Sequence, residues 1–157
     1  QGYNSQYHVQ PPLRHESDRQ ALIAGLADGT IDAIVSAHQP HEAAAKQAPF
    51  ADTATGMAIY DIFMPLLLSL AADTNLSLLQ LTAALSKQPR SLLGLDENGL
   101  TVGAAANLCL IDPNLSWQLT STSQQSRGAN QCLQNSTLMG RVMLTLQHGK
   151  VTWQAHD

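Results

Sequence analysis

The 157-residue chain is poor in aromatic side chains, at 4%, and in charge, at 13%. An ordinary globular domain carries about a quarter of its residues as charged groups. Eight Lys and Arg against twelve Asp and Glu leave a formal charge of −4 with the six histidines neutral. There is no basic cluster, so the sequence offers no footprint for nucleic acid and no polybasic contact for a membrane surface. Long hydrophobic runs are missing too. The longest nearly apolar stretch, Ile62 to Ala72, contains Pro65 and Ser69 and is too short to span a bilayer. Cysteine is scarce: Cys109 and Cys132 are far apart, with no CxxC spacing and no histidine at metal spacing. Two free thiols in a cytoplasmic protein are the expectation. The chain opens Gln1-Gly2-Tyr3, with no initiator Met, charged n-region or apolar h-region, and reads as having no signal peptide. A chain with that opening reads as a fragment or a trimmed form, and as such it need not carry a complete active site.

The 44% hydrophobic content is enough for a core of one domain or two small ones. The first stretch is extended through Pro11-Pro12, because proline lacks an amide donor and restricts the residue before it. Ser17-Asp18 reads as the N-cap of a helix that carries Ala21, Leu22, Ile23 and Leu26 and stops near Asp28-Gly29. Thr30 to Ser36 is a β-branched run with only Asp32 charged, the pattern of a strand buried on both faces. A loop from His38 to Thr55 follows, with a small helical insert at His41 to Ala48. Helices are predicted at Met57 to Ala72, with Pro65 as a kink, and at Leu76 to Ser86. This rhythm is that of an α/β unit.

From about Leu92 the texture changes. Leu100 to Val102, Asn107 to Ile111, Trp117 to Thr120, Val142 to Gln147 and Lys150 to Trp153 are short β-type runs. His148-Gly149 between the last two signals a hairpin. Residues 120–136 are polar and read as a surface loop or a partly disordered one.

The loop after the first predicted strand, Ser36-Ala37-His38-Gln39-Pro40-His41, is the informative segment. His38 and His41 at spacing three invite a metal reading. No acidic or Cys partner stands at ligand spacing, and loop histidines are more often solvated or hydrogen-bonded. No phosphate-binding Gly-rich loop, GxSxG elbow or HExxH helix is present.

Pro11-Pro12-Leu13-Arg14, Asp18, Ala21-Leu22 and Leu26-Ala27-Asp28-Gly29-Thr30-Ile31-Asp32 resemble the C-terminal half of bacterial long-type dihydroorotases. The likeness continues through Ala37-His38-Gln39-Pro40-His41, Lys46, Pro49-Phe50, Gly56, Asp61 and Met64-Pro65-Leu66-Leu67. It extends over Gln88-Pro89, Leu93-Gly94-Leu95, Gly103, Ala106-Asn107-Leu108, Asp112-Pro113, Trp117, Ser126, Asn130 and Leu138 to Val142. Hydantoinases and allantoinases share some of these motifs but match less well from Lys46 to Phe50.

The resemblance implies a metal-dependent amidohydrolase fold, an α/β architecture. Residues 1–92 would be the last strands and helices of a (β/α)8 barrel, and residues 93–157 the C-terminal part of a flanking β-sandwich. A whole barrel takes about 250 residues. The family's His-x-His pair, carboxylated Lys and two later histidines would lie upstream of this sequence. At the end of the last barrel strand the family places an Asp that ligates zinc and shuttles a proton, and here that position is Ala37. Ser36, on the opposite face of the strand, does not replace it. No catalytic residue, metal ligand or cofactor is therefore expected in this chain, although zinc serves active members. On the substrate side, His41 and Gly56 match residues that contact the dihydroorotate carboxylate and ring, and Gln10 replaces an Asn.

The pattern resembles non-catalytic dihydroorotase-like subunits that hold aspartate transcarbamoylase in its working assembly. The alternative is a C-terminal fragment of an active, zinc-dependent dihydroorotase that interconverts carbamoyl aspartate and dihydroorotate. Expected partners are aspartate transcarbamoylase and either the N-terminal half of the same protein or a second copy.

Overall fold

The computed structural model describes residues 2–95 and 99–155. A short 3-10 turn, Ser5–Tyr7, opens it, with the Asn4 side chain accepting the Gln6 N–H at 3.0 Å. The chain then runs without regular structure past Pro11-Pro12 to helix α1, Glu16–Asp28. His15, not Ser17-Asp18, is the N-cap. Asp18 instead sits in the first turn and accepts the His15 backbone N–H at 3.1 Å, the reach-back arm of a capping box. Gly29, at φ 80°, closes the helix in the left-handed conformation that a Cβ disfavours.

Thr30 to Ser36 departs from the expected buried strand. No ladder forms along it, and Val35 is 79% exposed. Three of its amides are engaged, Thr30 donating to the Asp28 side chain, Ile31 to the Gly25 carbonyl and Ile34 to that of Ala84. A parallel strand needs neighbours on its flanks and covers on its faces, and the described residues supply no such neighbours. Leu100 to Val102, also expected as strand, lies in irregular and turn structure with Leu100 and Val102 exposed.

The predicted helical insert is a short 3-10 helix, Ala43–Lys46, and another, Phe50–Asp52, follows it. Helix α2 spans Tyr60–Asp73, starting later than predicted, with Ile62, Pro65 and Leu67 buried. Helix α3, Leu78–Thr82, begins at a Ser77/Gln80 capping box. It passes through a π-type stretch, Ala83–Lys87, into α4, Gln88–Leu92. Pro89 lies two residues beyond this wide turn, and in regular α geometry its ring would press on the Leu85 carbonyl.

The remaining structure is an antiparallel meander in the order β1-β2-β3, formed by Leu108–Gln118, Thr137–Gln147 and Lys150–Gln154. The predicted runs at Asn107 and Trp117 are one strand. Pro113, which cannot donate to a ladder, falls in the register shift between Asp112 and Ser116. His148-Gly149 forms the predicted tight turn, both residues at positive φ, 49° and 78°. Leu119, Leu138 and Ile62 make a buried cluster that joins α2 to the sheet, flanked by Ile59, Trp117, Cys132 and Leu133. Close approach of α2 to β2 depends on Gly140, at φ 86°, where an added Cβ would collide with the Leu68 side chain.

Residues 120–136 adopt no helix or strand, as predicted, but they are not a loose surface loop. Asn130 is fully buried and Gln131 nearly so.

Candidate functional site

The extended run ends in a turn at Ala37, whose φ of 48° lies in the left-handed region. Alanine is disfavoured there, whereas Asn, Asp and Gly are the residues that enter it readily. His38 follows. Its Nδ1 accepts the backbone N–H groups of Ile59, at 3.0 Å, and Tyr60, at 3.2 Å. Accepting both requires Nδ1 to be unprotonated, so the neutral ring carries its hydrogen on Nε2. The ring lies flat on Tyr60, with centroids 3.9 Å apart. Burial pushes His38 below the ordinary histidine pKa, and the nearby Asp61 carboxylate opposes that shift.

His41 is anchored differently. Its Nε2 lies 2.9 Å from the Thr55 carbonyl. A carbonyl can only accept, so Nε2 carries the hydrogen and Nδ1 is the ring nitrogen left for a ligand. Gly56, next in sequence after Thr55, is buried at φ 130°, and its N–H donates to the His8 carbonyl at 2.9 Å. A Cβ there would stand 2.6 Å from the Gln39 Cβ. The contact with His8 lays the segment that leads to Gln10 alongside the Gly56 turn. Gln10 itself is exposed.

Around these residues is a set of supports that the sequence reading left without a role. Lys46 is 5% exposed, and its Nζ donates to the carbonyls of Ala54, at 2.7 Å, and His8, at 3.0 Å. Burial lowers its pKa. His8 Nδ1 lies 2.8 Å from Thr53 Oγ1, whose own hydrogen goes to the Phe50 carbonyl, so the imidazole is the donor. The Asn130 side chain accepts the His41 N–H at 2.8 Å and donates to the Gln39 carbonyl at 2.8 Å. Lys46 and Asn130 belong to motif matches in the sequence, but a lysine among alanines and an asparagine in a polar loop give no sign of burial.

The structure thus ties His41 to the Thr55–Gly56 segment and ties that segment to His8, two residues before Gln10, while Ala37 lies four residues before His41. A separate cavity of about 350 Å³ lies between α2 and the sheet, lined by His38, Tyr60, Asp61, Trp117, Arg141 and Trp153 among others. Arg141 sits 5.3 Å over the Trp117 ring. Asp61 is engaged, accepting the N–H groups of Gln125 and Ser126. None of His41, Gly56, Gln10 or Ala37 lines this cavity.

Zinc does not fit the donors present. Among the described residues no three His, Cys, Asp or Glu side chains are grouped as a metal would need. Ala37 offers only a methyl group where the family resemblance puts a ligand.

No family model matches the chain. Among curated proteins it is 45% identical over 151 residues to a dihydroorotase-like protein of Pseudomonas aeruginosa, covering 96% of this chain and 36% of that protein. A dihydroorotase of Geobacter sp. strain M21 is 37% identical over 154 residues, covering 98% of this chain and 36% of the relative. The chain belongs to the dihydroorotase family. It spans little more than a third of the length of these dihydroorotase relatives. Solved structures give the fold. L-hydantoinase from Arthrobacter aurescens superposes with a TM-score of 0.82 at 22% identity, covering 98% of this chain and 39% of that one. D-hydantoinase from Thermus sp. superposes at 0.81 with 22% identity, over 96% of this chain and 34% of that one. This dihydroorotase-family chain therefore has the α/β fold of an amidohydrolase piece, part of a barrel followed by part of a sandwich. No helix among its described residues is long and apolar enough to cross a membrane.

Proposed function

We propose that the chain is part of a non-catalytic dihydroorotase-like protein of pyrimidine biosynthesis, cytoplasmic, which scaffolds aspartate transcarbamoylase. The observation that carries this reading is Ala37. The family resemblance puts a zinc-binding, proton-shuttling Asp at this position, and a methyl group can neither coordinate nor accept a proton. A general base is worth roughly 10²–10⁴ in rate, and losing a ligand also releases the metal from its geometry. The turn keeps a left-handed backbone that suits Asp better than Ala. In support, relatives named dihydroorotase-like protein reach 45% and 42% identity, against 37% and 36% for two named dihydroorotase. His41, Gly56 and Gln10 form the substrate-side remnant in this reading.

The alternative is the C-terminal piece of an active zinc-dependent dihydroorotase. The ordered His41–Thr55–Gly56 geometry favours it, since that arrangement has no evident use in a pure scaffold. Metal analysis of the full-length protein, together with an assay of carbamoyl aspartate–dihydroorotate interconversion, separates the two. The scaffold reading expects no turnover and co-elution with aspartate transcarbamoylase. Binuclear zinc content with turnover would replace it by the alternative.

A further inference from the structure

We infer that Asn130, in the loop between β1 and β2, is a positioning residue for His41. The inference rests on the proposed substrate-side role of His41 and goes beyond it by naming what holds that side chain.

Asn130 is the hub of a latch between residues far apart in sequence. Its Oδ1 accepts the His41 N–H, and its Nδ2 donates to the Gln39 carbonyl, each at 2.8 Å. Its backbone carbonyl accepts the Ala58 N–H at 3.2 Å, and the neighbouring Ala129 N–H donates to the His41 carbonyl at 2.7 Å. The peptide units on both sides of His41 are therefore fixed by residues 129–130. Both Asn130 side-chain polar atoms are used, and the residue is 0% exposed. Losing it would leave an amide and a carbonyl without partners in a buried place, which is where such losses are felt most.

A second observation is independent of these hydrogen bonds. Gly128 brings the loop against the same turn so closely that an added Cβ would stand 2.7 Å from Pro40 Cβ and 2.9 Å from Ala58 Cβ. The loop is shaped to touch the turn between His38 and His41. The consequence is chemical. With its backbone held on both sides, His41 keeps Nε2 on the Thr55 carbonyl, and Nδ1 remains the nitrogen available to a ligand. Asn130 acts through His41 and has no assigned contact with a ligand.

The test uses full-length protein labelled with ¹⁵N-histidine, comparing wild type, Asn130→Ala and Gly128→Ala. Two readouts are taken: the His41 ring-nitrogen shifts, assigned with His41→Gln, and dihydroorotate binding by calorimetry. Wild type should show His41 as the Nε2–H tautomer. Both variants should move it toward a mixed tautomer and weaken dihydroorotate roughly tenfold, the scale of one lost buried hydrogen bond. The His38 signals, anchored on Ile59 and Tyr60, should stay. An unchanged His41 signature in either folded variant overturns the inference. Gly128→Ala decides the matter if Asn130→Ala does not fold. If wild type binds no dihydroorotate, the substrate-side reading of His41 fails, while the ring-nitrogen shifts still decide whether the latch exists.

Discussion

At the scale of single residues, His38 caps a helix that it does not belong to. Helix α2 begins after Ile59, whose own side chain cannot cap, and the imidazole Nδ1 takes up the Ile59 and Tyr60 amides in its place. Protonation at Nδ1 would turn this acceptor into a donor facing two donors. The folded state therefore favours neutral His38, in line with its lowered pKa. The sign follows from linkage: stability from this group is complete above the unfolded histidine value of about 6.5 and is lost as pH falls toward the depressed folded value. Thermal melts of wild type should drop across that window, while His38→Asn, whose amide oxygen can accept without titrating, should lack this component. A cap is worth about 1 kcal/mol, which for a chain of this size is about 2–4 °C. Equal pH dependence in both proteins would remove His38 from this role. Ala37 gives the second prediction at this scale. Asp tolerates the left-handed turn better than Ala, so Ala37→Asp should fold at least as well as wild type. It should also show no dihydroorotase turnover above a no-enzyme control. One carboxylate does not make a zinc site when the described residues offer no group of ligands for it to join. Measured turnover would show that the catalytic position has been misplaced.

At the scale of elements, the packing of α2 on β2 is controlled by Gly140 and Leu68. Gly140→Ala should destabilise the protein by about 1–3 kcal/mol, because it both crowds Leu68 and forces a side chain into positive φ. Leu68→Ala should recover part of that loss, and a double-mutant cycle by denaturant titration would measure the coupling. Simple additivity would place the strain elsewhere. The elements also show what a sequence can disclose. The β2–β3 hairpin was legible because His148-Gly149 and the alternation around it are local signals. The extended character of Thr30 to Ser36 was legible for the same reason, but a ladder is a property of two segments, and only one is described here. The cap of α1 was misplaced by two residues since Ser17 and Asp18 are both good caps in isolation and Asp18 serves as the reach-back partner. Asn130 and Lys46 mark the limit. Their polarity signals exposure, and only non-local carbonyls and amides that satisfy them make their burial possible.

At the scale of the whole molecule, the strands and helices leave much apolar and hydrogen-bonding surface without cover. Strands β1 and β3 are both edges of the sheet, and Leu108, Leu110, Met139 and Val151 are exposed on it. Val35 is exposed on the unpaired extended run. Open edges and contiguous apolar surface recruit other chains. The dihydroorotase-like and hydantoinase relatives are nearly three times as long. Expressed alone, this 157-residue chain should therefore associate with itself. Light scattering over a range of concentrations should give a mass that rises above the 16.8 kDa of a monomer. A longer protein carrying the rest of the barrel should lose this concentration dependence unless aspartate transcarbamoylase is added, when a defined complex should form. A constant monomer mass for the short chain would mean that these edges are protected without a partner. Indifference of the longer protein to the transcarbamoylase would remove the scaffold reading and leave the family membership standing.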